Sequence, residues 1–212
     1  MSLRKSIHAV LTGDIVNSTQ LDPSIEKTLL KELRRVLEPY TYEFYRGDSF
    51  QAFIKEPAKS LQVALICRTL AISLTAGEGE LSVSDVRISI GIGEVIHPVK
   101  APGTAKGEAF LLSGRLFDDM QGSEQRLAIA AENPIAVVGL QVIASYIDTI
   151  YRGMTAKQAD AILGLLRGDT QQEVAMRLNK SKSTVSQLVN AGRWQETENL
   201  LRQYELLINQ LA

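Results

Sequence analysis

Cysteine is nearly absent: Cys67 is the only one in 212 residues. One thiol excludes a disulfide framework and a thiolate zinc cluster. No long apolar run follows the basic residues Arg4 and Lys5, so the sequence predicts neither a signal peptide nor a transmembrane segment. A cytoplasmic location without membrane partners is the expectation. There is no internal repeat and no low-complexity tract. What remains is ordinary: 45% hydrophobic and 22% charged residues, enough for one large domain or two small ones to bury a core unaided.

The net charge of −1 hides an asymmetry. Between Glu173 and Glu196 there is no acid, while Arg177, Lys180, Lys182 and Arg193 all fall there. A locally basic segment in a mildly acidic chain suits a small nucleic-acid contact surface, and equally a solvated helix face.

Apolar residues from His8 to Val16 predict a buried strand. Pro23 opens a helix with Leu29, Leu30, Leu33, Val36 and Leu37 on one stripe, and Pro39 stops it. Tyr40–Tyr45 and Phe50–Ile54 read as a hairpin across a turn at 46–49. A helix from Pro57 to Leu74, a loop with two glycines, and an alternating strand Val86–Val95 follow. This order, βαββαβ, predicts an α+β, ferredoxin-like N-terminal unit. A βαβ crossover makes the first two strands parallel, with the third between them running antiparallel. The end of the first strand then shares a sheet edge with the turn joining the second and third. After residue 95 come a Pro/Gly loop, a helix Glu108–Met120, a strand Arg126–Ala131 and an apolar helix from Pro134 to about Tyr151.

That shared edge holds two similar stretches, Thr12-Gly13-Asp14-Ile15 and Arg46-Gly47-Asp48-Ser49-Phe50. Two carboxylates there suit a divalent cation, Mg²⁺ or Mn²⁺, bridging to phosphate oxygens. Glycine beside each acid allows close approach of a ligand. Both Gly-Asp pairs also suit plain turns. Asn17 and Ser18 can donate to a phosphate or cap the next helix. Arg46 and Arg115 can pair with phosphate, or with Glu43 or Asp118. His97, in a loop before Pro98, has no partner at ligand spacing and reads as a surface residue.

Residues Ala9–Ser18 resemble the first metal-binding segment of class III nucleotide cyclases. Tyr45–Phe50 resembles their second, and also the turn of diguanylate cyclases. Val86–Val95 is similar to the next cyclase core strand, and Gly107–Leu116 to the helix carrying an Asn and an Arg that act on the transition state. The chain departs from that pattern at three points. Leu111 stands at the Asn position, Phe44 at the adenine-reading Lys, and Thr104 near its Asp partner; only Arg115 matches the catalytic helix. A closer resemblance is to the bacterial SatD-like family, carried by Gly13–Ser18, Arg46–Gln51 and Gly107–Arg115. It implies a nucleotide-cyclase-like domain with Asp14 and Asp48 as metal residues. Gly13, Asn17, Ser18, Arg46, Gly47 and Arg115 would then be nucleotide contacts.

The C-terminal segment has two capping boxes, Thr155–Gln158 and Thr170–Glu173, and Ser181 or Ser183 to cap a third helix. Thr170 to Leu188 resembles the helix-turn-helix of bacterial regulators and of sigma-factor region four, with Ala175 small where the two helices cross. The resemblance implies a recognition helix projecting Lys182, Ser183, Thr184, Ser186, Gln187 and Asn190 into a major groove. Arg177, Lys180 and Arg193 would neutralise phosphates. A last amphipathic helix, Gln195–Leu211, offers a packing face or a dimer seam.

The sequence thus divides into a cyclase-like domain (1–133), a connecting helix (134–153) and an all-α helix-turn-helix domain (154–212). The expected function is a homodimeric DNA-binding transcriptional regulator that senses a nucleotide or metal. The alternatives are a metal-dependent nucleotidyl cyclase or transferase, with Arg115 its one catalytic candidate, and an inert interaction adaptor. Conventional adenylate cyclase activity is not expected.

Overall fold

The computed structural model describes residues 7–45, 47–75, 82 and 84–211. Arg46 and the two-glycine loop expected after Leu74 lie outside them. The architecture is mixed α+β, with one five-stranded sheet and eight α-helices among the described residues. The strands are β1 (Ile7–Ile15), β2 (Thr41–Tyr45), β3 (Ser49–Ile54), β4 (Val86–Glu94) and β5 (Leu127–Ala131). They lie in the order β2-β3-β1-β4-β5. Every pair is antiparallel except β4 with β5. The third strand therefore sits between the first two, which run parallel.

Helices α1 (Pro23–Leu37), α2 (Ser60–Leu74) and α4 (Pro134–Arg152) supply apolar side chains to one face of the sheet, and α3 (Glu108–Asp119) covers part of the other. Strand periodicity sorts the side chains. Ala9, Leu11 and Ile15 of β1 join Phe50, Ala52, Ile54, Ile88, Ile90 and Ile92 in the main core. Val10 and Phe53 face the other way, onto Ala109 and Phe110. Local signals place the helix starts. Asp22 accepts the Ser24 N–H at 2.8 Å ahead of Pro23, and Asn133 accepts from Ile135 and Ala136 ahead of Pro134. A 3-10 turn over Pro57–Lys59 delays α2 to Ser60, three residues later than the sequence predicts. Helix α4 has the length and apolar composition of a membrane span. Its Leu140, Ala144, Ile147 and Tyr151 are nevertheless buried in the core.

Helices α5 (Ala156–Leu166), α6 (Gln171–Arg177), α7 (Lys182–Ala191) and α8 (Trp194–Leu211) complete the chain. The main core continues into them through Ile162, Leu163, Leu166, Tyr204 and Ile208. Tyr204 and Ser60 hydroxyls meet at 2.6 Å, and the Gln62 amide donates to the Leu166 carbonyl at 2.7 Å. A small second core holds Ala161, Val174, Ala175, Val185 and Val189.

Candidate functional site

Asp14 is the penultimate residue of β1, opposite Ser49 on β3 and Arg87 on β4. Asp48 lies in the adjoining turn, so the backbone brings both acids to one sheet edge. Their carboxylates are already engaged. Arg87 donates to both Asp14 oxygens, from Nη2 at 2.7 Å and Nε at 3.0 Å. Ser18 donates to Asp48 at 2.6 Å, and Ser49 lies 3.5 Å from its other oxygen. The bond to Asp14 raises the Arg87 pKa above its ordinary value, outweighing partial burial. Its guanidinium also stands 5.4 Å from the Phe117 ring centroid.

Of the other residues expected here, Asn17 is exposed in a left-handed conformation at φ 57°. Gly47 is exposed with φ 96°, where only a residue without Cβ is unstrained. Gly13 is buried, and an added Cβ would come within 2.8 Å of Phe50 Cζ. Its missing side chain makes room for that ring, on the opposite face from Asp14, and not for a ligand. Arg115 is exposed on α3 and makes no hydrogen bond or ion pair among the described residues. Phe44 packs against Phe50, with Arg34 4.4 Å from its ring centroid, on the core side of the sheet. Leu111 is exposed, and the Thr104 hydroxyl turns back to the Ala101 carbonyl.

Beside the edge, the α3 face carries a relay of neutral polar groups. The Gln51 amide donates to Thr12 Oγ1 at 3.1 Å, which meets Ser113 Oγ at 3.0 Å. Ser89 donates to the Ser113 carbonyl at 2.7 Å. A cavity of about 420 Å³ adjoins it, walled by Pro102, Ala105, Phe110 and Leu111, with Gln51 and Lys106 as its polar members. Burial, aided by a hydrogen bond to Glu43, pushes the Tyr45 hydroxyl up to about 12.

The donor set decides whether a resident divalent cation fits. Mg²⁺ and Mn²⁺ seek oxygens carrying unshared charge. A bidentate guanidinium has already neutralised Asp14. Asp48 is itself engaged by Ser18 and Ser49, and no third His, Cys, Asp or Glu joins the two acids among the described residues. This arrangement does not fit a resident cation at Asp14 and Asp48.

At the C-terminal end, α6 closes with Asn179 left-handed at φ 50° and Lys180 N–H bonded to the Ala175 carbonyl at 3.0 Å. Ser181, not Ser183, caps α7 by accepting the Thr184 N–H at 3.1 Å. Lys182, Ser183, Gln187 and Asn190 are exposed on α7, and Thr184 and Ser186 half-buried. Lys180 is exposed in the turn. Two of the four expected cations are tied within the chain. Arg177 pairs with Asp160 at 2.8 Å and also donates to its carbonyl. Arg193 pairs with Glu196 at 3.0 Å and donates to the Tyr146 hydroxyl at 2.6 Å.

No family model matches this chain, and no curated protein does. Among solved structures it is similar to two of a bacterial light-regulated adenylyl cyclase, at 14% and 15% identity and TM-scores of 0.38 and 0.37. The overlap covers 58% of this chain, and 42% and 43% of theirs. The chain thus spans less than half the length of those proteins.

Two ionic features have no clear signature in the sequence. One is Arg87 on β4, whose alternating pattern gives no sign of a mate 73 residues away. The other is Arg68, 1% exposed on α2 and bound to Asp85 at 2.7 Å and Asp148 at 2.5 Å. Burial opposes its charge, but the two carboxylates outweigh that and raise its pKa. Asp148 also accepts the Arg126 and Leu127 backbone N–H groups, tying α4 to the start of β5. A cavity of about 280 Å³ opens beside this network. An arginine within the apolar helix Pro57–Leu74 was the available signal, since such a residue is rarely buried unpaired.

Proposed function

We propose that this chain is a cytoplasmic, homodimeric DNA-binding regulator of the SatD-like kind. In this reading α6 and α7 form a helix-turn-helix within 154–212, α4 connects, and residues 1–133 form a ferredoxin-like, cyclase-type domain. One observation carries it. The outward face of α7 presents Lys182, Ser183, Gln187 and Asn190, with no acid, while Val185 and Val189 are buried against Val174 and Ala175. Amides of this kind bond adenine edges, and an N-terminal lysine serves guanine or phosphate. A two-fold dimer would present two such helices to successive half-sites. The enzyme reading requires a cation at Asp14 and Asp48, and the Arg87 clasp stands against it.

The test is selection of genomic fragments by the purified chain, followed by a salt titration of the best fragment. Binding should weaken steeply with salt. Gln187→Ala with Asn190→Ala should cost about 1–3 kcal/mol for each lost base contact and relax sequence preference. Absence of any salt-dependent binding by the unaltered chain sinks the reading.

A further inference from the structure

The chain has two histidines, and their rings meet. His97 Nε2 lies 3.0 Å from His8 Nε2, across 89 positions of sequence. His8 is on β1 and 8% exposed. Its Nδ1 lies 3.0 Å from the Lys55 carbonyl. A carbonyl only accepts, so Nδ1 carries the proton, and Nε2 of His8 accepts from His97 Nε2–H. The two rings stand at 83° with centroids 4.9 Å apart. Phe53 packs edge-on to both, at 5.2 and 5.9 Å. His97 is exposed, on the segment between β4 and α3.

We propose that His8 and His97 bind one first-row divalent cation of the Zn²⁺ and Cu²⁺ kind through their Nε2 atoms, with water completing its coordination. Three features support the site. Two imidazole nitrogens on a tetrahedral cation, each about 2.0–2.1 Å from it, stand about 3.3 Å apart. The pair needs to open by only a few tenths of an ångström, with His97 on the exposed side free to turn. His97 moves its proton from Nε2 to Nδ1, and both Nε2 lone pairs then serve the cation. Second, the Lys55 carbonyl fixes the His8 tautomer, the outer partner that metal-bound imidazoles ordinarily have. Third, the donors are nitrogen alone. No third His, Cys, Asp or Glu joins them among the described residues, which disfavours Mg²⁺ and Ca²⁺ and suits borderline cations. A bound cation would fasten the 95–107 segment, which borders the 420 Å³ cavity, to β1.

The test uses the full, untagged chain, titrated with Zn²⁺ by calorimetry and with Cu²⁺ by electron paramagnetic resonance. One equivalent should bind below about 100 µM free cation, with splitting from two nitrogens. His97→Gln, an exposed position, should lower affinity at least about tenfold and leave the thermal melt of the metal-free chain in place. His8→Gln should do the same to affinity. If that variant unfolds, His97→Gln decides alone. No saturable binding by the unaltered chain, or equal binding by His97→Gln, overturns the proposal.

Discussion

Asp14 and Arg87, at paired positions of the β1–β4 ladder, hold each other through two parallel hydrogen bonds of 2.7 and 3.0 Å. The side chains are 20% and 17% exposed, respectively. The pair is thus screened from water more than a surface bridge and less than a core one. A fixed positive charge occupies the sheet edge where a diffusible cation was expected. An arginine fork cannot be deprotonated or chelated away, so the edge keeps its charge balance independently of free metal.

Two measurements follow from that substitution of roles. Mn²⁺ binding by the unaltered chain should be undetectable by electron paramagnetic resonance at this edge, while Arg87→Gln should gain it. The same variant should lower stability to urea by about 1–3 kcal/mol, because it leaves a half-screened carboxylate with weaker partners. Equal Mn²⁺ retention by both chains would show that the guanidinium does not compete with the cation.

Arg68 makes a harsher case. Its guanidinium is 1% exposed and serves Asp85 and Asp148 together. Arg68→Leu strands two carboxylates and should cost about 3–5 kcal/mol in urea unfolding. Arg68→Lys should recover little of this, since a point charge cannot reproduce the fork. Full recovery by lysine would reduce the network to simple charge balance.

Much of the frame is legible in the sequence. The capping boxes at Thr155 and Thr170 are both formed as their spacing predicts. Crossover topology brought Asp14 beside the Ser49 turn. Those features depend on local chemistry or on the connectivity of neighbouring strands. The sequence could not show which side chains meet across long separations, because that depends on strand register. Asp14 meets Arg87, and His8 meets His97, only once β1 and β4 are aligned. His97 therefore read as a lone surface residue. Formal charge is silent for a related reason: Arg177 and Arg193 count as cations in the sequence, and their pairing with Asp160 and Glu196 shows only in the fold.

Gly13 illustrates the same limit and gives a direct test. A glycine beside an aspartate suggested room for a ligand, yet the space is filled by Phe50. Gly13→Ala should destabilise the chain by about 1–3 kcal/mol through overpacking. Pairing it with Phe50→Leu, which removes the ring, should make the two effects less than additive in a double-mutant cycle. Strict additivity would mean that the glycine serves something other than the ring.

The ion pairs also separate the basic residues near α7. Lys182 is exposed with no ion-pair partner among the described residues, whereas Arg177 is committed to Asp160. If DNA lies along α7, Lys182→Ala should reduce the slope of log affinity against log salt by about 1. Arg177→Ala should leave that slope unchanged. Equal slope losses would show that Arg177 leaves Asp160 to reach a phosphate.

Alkaline pH probes the main core from within. Cys67 is fully buried, and burial alone pushes its thiol from 9.0 up to about 12. Tyr151 rises from 10.0 to about 12, again chiefly by burial. In both cases the fold favours the neutral form, whereas the unfolded chain ionises at its ordinary value. Their contribution is therefore complete below pH 9 and is lost progressively as pH rises from 9 toward 12. The share that Cys67 and Tyr151 give to the urea midpoint should be constant on the acid side of that window and fall within it. Cys67→Ala should start from a lower midpoint, having lost packing volume, and its decline should begin nearer pH 10, where Tyr151 takes over. A thiol reagent should label the unaltered chain only as fast as it unfolds. Rapid labelling at neutral pH would place Cys67 outside the closed core and remove the thiol's share of the alkaline loss.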